Sequence, residues 1–121
     1  MHGGSQDLSK QLQEICCHSE DRVALQEART LVQQGANPNI LDARHFFCSP
    51  LFHAVQRNLV NTTLLLIKHQ ANINQPNRLG FRPLHIAAVY GSVECILLLL
   101  RAGADINAKT VFGFDAYNMA V

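Results

Sequence analysis

Six histidines (His2, His18, His45, His53, His69 and His85) and four cysteines (Cys16, Cys17, Cys48 and Cys95) are the residues of this 121-residue chain best suited to metal binding or covalent chemistry. Protein zinc sites draw on ligand pairs at short, fixed spacing, such as Cys-x-x-Cys or two histidines one helical turn apart. The chain contains neither Cys-x-x-Cys nor His-x-x-x-His, so no metal and no cofactor is expected. Adjacent Cys16 and Cys17 do not suit a disulfide framework. The four irregularly spaced thiols read as reduced packing side chains of a cytoplasmic or nuclear protein. Nucleophilic catalysis needs a base paired with Ser, Cys or a carboxylate, and phosphate chemistry needs a Gly-rich loop. No such constellation stands at a diagnostic spacing, and the chain is expected not to be an enzyme. Asn61-Thr62-Thr63 matches a glycosylation sequon, but it falls inside an expected helix and reads as unused.

The composition describes what must position these residues. Apolar residues make up 48% of the chain and charged residues 16%, which suits one packed domain and opposes general disorder. Ten basic residues against nine acidic give a net charge of +1, without the basic excess of a nucleic-acid binder. The longest apolar run, Ile96 to Leu100, is far too short for a membrane span. The opening residues 1–7, with Gly3-Gly4-Ser5, read as a flexible leader without a signal-peptide core.

Self-similarity then organises the chain. Gly35-Ala36-Asn37-Pro38-Asn39, Gln70-Ala71-Asn72-Ile73-Asn74 and Gly103-Ala104-Asp105-Ile106-Asn107 are successive copies of one segment. The last two are 33 residues apart and the first two 35, so one loop holds two extra residues. A second set of marks keeps the same period: Ser49-Pro50-Leu51-Phe52-His53-Ala54 against Arg82-Pro83-Leu84-His85-Ile86-Ala87, and Gly80-Phe81 against Gly113-Phe114. Each unit reads as two short helices and a hairpin-like loop. In the third unit Pro83 suits a first helical turn, Gly91 ends that helix, and Val93, Ile96, Leu97 and Leu100 form one face of the next. Val60, Thr63, Leu64 and Ile67 repeat that face. Leu25, Ala28, Arg29 and Val32 repeat it more weakly.

On these motifs the chain resembles the ankyrin repeat family, whose 33-residue units combine a turn with two helices. The resemblance implies an all-α solenoid of stacked helix-turn-helix pairs with hairpin-like loops. Its units would be a diverged N-terminal capping repeat over 8–43, with an early helix from Leu8 to Cys17, full repeats over 44–76 and 77–109, and a truncated repeat over 110–121. The Thr-Pro-Leu-His pattern of the family is intact nowhere. Ser49 and Asp115 can still cap a helix, Arg82 cannot, Phe52 and Asn118 stand where His is usual, and Phe47 stands where Gly is usual.

A stack of such units offers its hairpin tips and the exposed sides of its first helices to another protein. Five of the six phenylalanines lie in the tips. The expected contact residues are Arg44, His45, Phe46 and Cys48 in the second unit, Arg78, Leu79, Phe81 and Arg82 in the third, and Val111, Phe112 and Phe114 in the fourth. By analogy with the family, Gln56, Arg57, Val89 and Tyr90 join them from the first helices. Aromatic and Arg side chains are the usual anchors of protein interfaces. Phe47 and Phe112 are expected to pack against neighbouring tips. His85 is expected to bond loop backbone. Asn74 and Asn107 resemble family asparagines that can be hydroxylated, although each also suits a loop-fixing role. The expected function is therefore a non-enzymatic protein-interaction module of an adaptor or targeting segment. The alternative is an accessory region of a larger enzyme or a ubiquitin-ligase substrate receptor. A poorly covered face on the third unit would favour self-association.

Overall fold

The computed structural model describes residues 4–120, with side chains from Leu8 onward. Seven α-helices follow in order: α1 (Gly4–His18), α2 (Asp21–Gln33), α3 (Pro50–Gln56), α4 (Val60–Lys68), α5 (Pro83–Tyr90), α6 (Val93–Arg101) and α7 (Ala116–Met119). A 3-10 turn lies at Ala43–His45. Helix α1 opens at Gly4, within the stretch read as a leader, of which residues 1–3 lie outside the described part. The helices form two layers. Helices α1, α3, α5 and α7 pack side by side in one, α2, α4 and α6 in the other, and each pair is joined across the layers.

Small and aliphatic residues fill the seam between the layers: Ala24, Ala28, Leu51, Ala54, Val55, Leu66, Ala87 and Leu99 are all buried. The apolar face of α6 is largely open, in keeping with the poorly covered face expected on the third unit. Cys95 and Leu99 are buried, while Val93, Leu97 and Leu100 are exposed. The same register on α4 does face a neighbour, because Thr63 meets Cys95 of α6, its Oγ1 lying 3.6 Å from Sγ. Both faces of an inner helix are therefore apolar, and the helical period alone does not tell which face meets the preceding unit.

Polar side chains tie each unit to the next. Helix α4 has no cap of its own, since Leu59 precedes it. Asp21 of the preceding unit takes that role. Its Oδ2 accepts the backbone N–H of Asn61 at 3.1 Å, and its Oδ1 accepts the N–H of Thr62 at 3.0 Å and the Thr62 hydroxyl at 2.8 Å. The Asn61 amide also donates to Asp21 Oδ2 at 3.1 Å, so the sequon asparagine is held in the stack. Burial disfavours the Asp21 carboxylate, but the donors of Thr62 and Asn61 outweigh it and hold its pKa below the usual value. Asp21→Ala is expected to destabilise the fold by about 2 kcal/mol. Because the folded pKa is lowered, the contribution is complete above about pH 4, the range of an unfolded Asp, and fades as pH falls through the folded value. Urea melts of wild type and variant should therefore differ at neutral pH and converge in acid.

The second unit is the strained one. Gly80, Gly91 and Gly103 of the third unit are left-handed, and the matching residues of the second are Phe47 (φ 62°), Asn58 (φ 55°) and Gln70 (φ 73°). Asn tolerates this conformation, whereas Phe and Gln are strained by their Cβ atoms. Gln70→Gly is expected to raise stability by about 1 kcal/mol, read as a higher urea midpoint with an unchanged slope.

Candidate functional site

The hairpin tips share one construction. The N–H at the base of each tip bonds the carbonyl across it: Asp42 to Cys48 at 2.9 Å, Asn77 to Phe81 at 2.8 Å, and Thr110 to Phe114 at 2.9 Å. The base side chain then gathers the loop from inside. Asn77 Oδ1 accepts the N–H groups of Leu79 and Phe81, both at 3.0 Å, and Thr110 Oγ1 accepts that of Phe112 at 3.2 Å. Neighbouring tips are joined in register by Arg78 N–H to Phe46 O at 2.7 Å and Val111 N–H to Leu79 O at 3.2 Å. This close approach requires a glycine at position 80, where a Cβ would lie 2.9 Å from the Val111 nitrogen.

The two extra residues of the long spacing lie inside the second tip. Asp42 to Cys48 spans two more positions than Asn77 to Phe81, and the surplus forms the 3-10 turn at Ala43–His45. Asp42 gathers this larger tip as Asn77 and Thr110 gather theirs. Its Oδ1 accepts Arg44 N–H at 3.0 Å, and its Oδ2 lies 2.7 Å from His45 Nδ1. Burial opposes the Asp42 charge, but the Arg44 and His45 bonds prevail and hold its carboxyl well below the usual range.

Beneath the second and third tips, α3 and α5 form the floor of a groove of about 530 Å³. His45, Phe46 and Leu79 line it from the tips, and His53, Gln56 and Tyr90 from the helices. Gln56 donates to the Tyr90 hydroxyl at 3.1 Å, bridging two units across the floor. His53 belongs to the site but was not expected there. It stands 33 positions before Ile86, where the repeat pattern asks for an apolar residue, and that mismatch was its signal in the sequence. Burial, reinforced by the nearby His45, pushes the His53 imidazole down to about 4. The ring is therefore neutral at physiological pH.

The expected contact residues divide into three groups. Phe46 (60% exposed), Phe112 (62%), Phe114 (49%), Tyr90 (56%), Val89 and Val111 stand out to solvent. Arg78 and His45 are exposed beside them, with Gln56, Leu79 and Arg82 half-covered. Arg44 and Arg57 are exposed but committed within the fold. Arg44 pairs with Glu14 at 2.8 Å and Asp42 at 3.1 Å, and Arg57 donates to Cys16 O at 2.9 Å. Cys48 stands deepest of the set: its backbone closes the tip, and its side chain is buried with Phe52 and Ile86 at the lining of the groove.

Phe112, expected to pack against a neighbouring tip, meets Phe81 of the third tip edge-on, with ring centroids 6.4 Å apart, and still stays exposed, while Phe81 packs on the Cys48, Phe52 and Ile86 cluster. Phe47 is exposed as well. His85 does bond loop backbone: its Nδ1 accepts Arg82 N–H at 2.8 Å, so Nε2 carries the proton and donates to Ala108 O at 2.8 Å. Asn74 links two loops, its Oδ1 accepting Asp105 N–H at 3.0 Å, and the Asn107 N–H donates to Asp105 Oδ1 at 2.9 Å.

Cys16, Cys48 and Cys95 are buried free thiols, and Cys17 is half-buried. Burial, with a smaller contribution from Cys17, pushes Cys16 up to about 12. No described helix is long and apolar enough to cross a membrane.

Comparison with known proteins agrees with this architecture. A family model described as ankyrin repeats, three copies, matches residues 15–110. The chain is 33% identical over 107 residues to delta-latroinsectotoxin-Lt1a of Latrodectus tredecimguttatus, covering 86% of this chain and 9% of the toxin. It is 37% identical over 79 residues to the B-cell lymphoma 3 protein homolog of Mus musculus, covering 65% of this chain and 17% of that protein. To the E3 ubiquitin-protein ligase KEG of Arabidopsis thaliana it is 34% identical over 98 residues, covering 78% of this chain and 6% of the ligase. The chain thus spans a small fraction of the length of each relative. Its repeats, its two helical layers and its linked hairpin tips place it in one group: the chain belongs to the ankyrin repeat family.

Proposed function

We propose that this chain is a non-catalytic recognition module that grips a partner protein through its hairpin tips and the groove beneath them. The observation that carries this reading is the division of labour among the aromatic rings. Phe52 and Phe81 hold the tips to the helices, while Phe46, Phe112 and Phe114 are presented to solvent on a row fixed by inter-tip hydrogen bonds, and Tyr90 stands exposed beside them on α5. Rigid, exposed aromatics on a preorganised surface bind at a low ordering cost. The setting is an adaptor or targeting segment of a cytoplasmic or nuclear protein. Similarity to a much longer ubiquitin ligase supports a place within a larger assembly. The open face of α6, with Val93 and Leu97 exposed, offers a separate contact for self-association.

The test is site-specific photo-crosslinking in cells, with the reactive side chain at Phe46 or Phe112, or at Glu27 on the second-layer side. A discrete protein adduct is expected from the two tip positions and none from Glu27. Adducts from Glu27 alone would refute the reading.

A further inference from the structure

We propose that Asp42, His45 and His53 form a zinc-binding site at the base of the second hairpin tip, at the edge of the groove. Each offers one ligand atom, and these three atoms lie within 4.8 Å of one another. The donors come from one hairpin tip and the helix that follows it. Asp42 closes the tip, His45 ends the 3-10 turn made by the two extra residues, and His53 rises from α3 below. The lengthened tip is what brings His45 over His53, with ring centroids 5.3 Å apart and the ring planes at 83°, edge to face.

A second, independent observation points to a ligand. The Nε2 atom of His53 is the one buried side-chain nitrogen or oxygen among the described residues that has no hydrogen-bond partner, in a side chain whose residue is only 7% exposed. Buried polar atoms are nearly always satisfied, so such an atom calls for a partner. A neutral imidazole with a free nitrogen is the form that binds a metal.

The donor chemistry selects the ion. Two imidazoles and a carboxylate suit zinc, whereas magnesium and calcium prefer all-oxygen sets. Tetrahedral zinc needs donors about 3.3 Å apart, and the exposed His45 can supply the adjustment. Three protein donors leave one coordination position for water or for a group of the partner. Arg44 competes for Asp42 through Nε at 3.1 Å from Oδ1, yet it retains Glu14 at 2.8 Å as a second partner. Loading this site would fix the tip that carries Phe46. Zinc binding at this site needs the purified chain alone and no partner protein.

The test is calorimetric titration of zinc chloride into chelator-treated, desalted protein at neutral pH. Wild type should bind one zinc per chain in the low-micromolar range or tighter, with a rise in melting temperature at saturation. His45→Gln should weaken binding at least about tenfold, while the metal-free variant still unfolds in one cooperative transition. His53→Gln should lose affinity to the same degree, and if it fails to fold, the exposed His45 variant carries the test. His69→Gln should bind as wild type. Wild-type affinity in His45→Gln would overturn the proposal, as would wild type binding no tighter than a variant lacking both histidines. Cobalt supplies a further readout. A tetrahedral visible spectrum without a thiolate charge-transfer band is expected, and an intense thiolate band, from Cys17 in the same groove, would overturn the assigned donors.

Discussion

His85→Ala is expected to lower stability by about 3–4 kcal/mol, the largest loss among the substitutions considered. The imidazole is fully buried and performs two tasks at once. It accepts Arg82 N–H at the start of α5, where Arg82 offers no side-chain cap, and it donates to Ala108 O in the following loop. Alanine leaves a cavity of ring size and strands both backbone groups. His85→Asn separates the tasks. In the fourth unit Asn118 sits at the equivalent position, and its Oδ1 accepts Asp115 N–H at 3.1 Å, while Asp115 Oδ1 accepts Asn118 N–H at 2.9 Å. An asparagine at 85 should restore the bond to Arg82 without reaching Ala108, and recover roughly half of the loss. Urea denaturation of the three proteins checks this. A loss below about 1 kcal/mol for His85→Ala would place the histidine outside the framework of the stack.

Phe46→Ala combined with Phe112→Ala is expected to weaken partner binding by about 30-fold per ring, the effect of losing an anchor of about 2 kcal/mol. The melting temperature should stay within about 3 °C of wild type, because both rings are exposed and neither belongs to a buried cluster. Phe81→Ala should behave in the opposite sense. Its ring lies on Cys48, Phe52 and Ile86, so its loss lowers the melting temperature first and affinity only through the loosened tip. Affinity and thermal melts measured on the same preparations separate the two behaviours.

The contrast between these rings shows where the sequence is readable. The repeat period and the Gly and Pro punctuation are local signals, and they located the helices, while the loop role of His85 came with the resemblance to the family. Ring orientation in the tips is not local. It depends on which neighbouring tip offers a surface: Phe81 and Phe114 hold equivalent repeat positions, each after a glycine, yet Phe81 packs on Cys48, Phe52 and Ile86 while Phe114 stands exposed. The packing face of α6 was ambiguous for a related reason: an inner solenoid helix is apolar on two sides. Asp21 as the cap of α4 was also hidden, since donor and acceptor lie 40 residues apart. His53 was legible in principle, as a polar residue at an apolar repeat position, and the two extra residues pointed to the same loop. Their meeting through His45 needed the three-dimensional arrangement.

The most direct test of partner recognition by the tips is a hydrogen–deuterium exchange footprint of the chain with its crosslinked partner, compared with the chain alone. Added protection is expected over the three tips, residues 43–48, 78–82 and 111–114, and along α3 and α5 at the groove floor. The outer surfaces of α2 and α4 should be unchanged. Protection confined to those outer surfaces, with tips exchanging as in the free chain, would contradict the account.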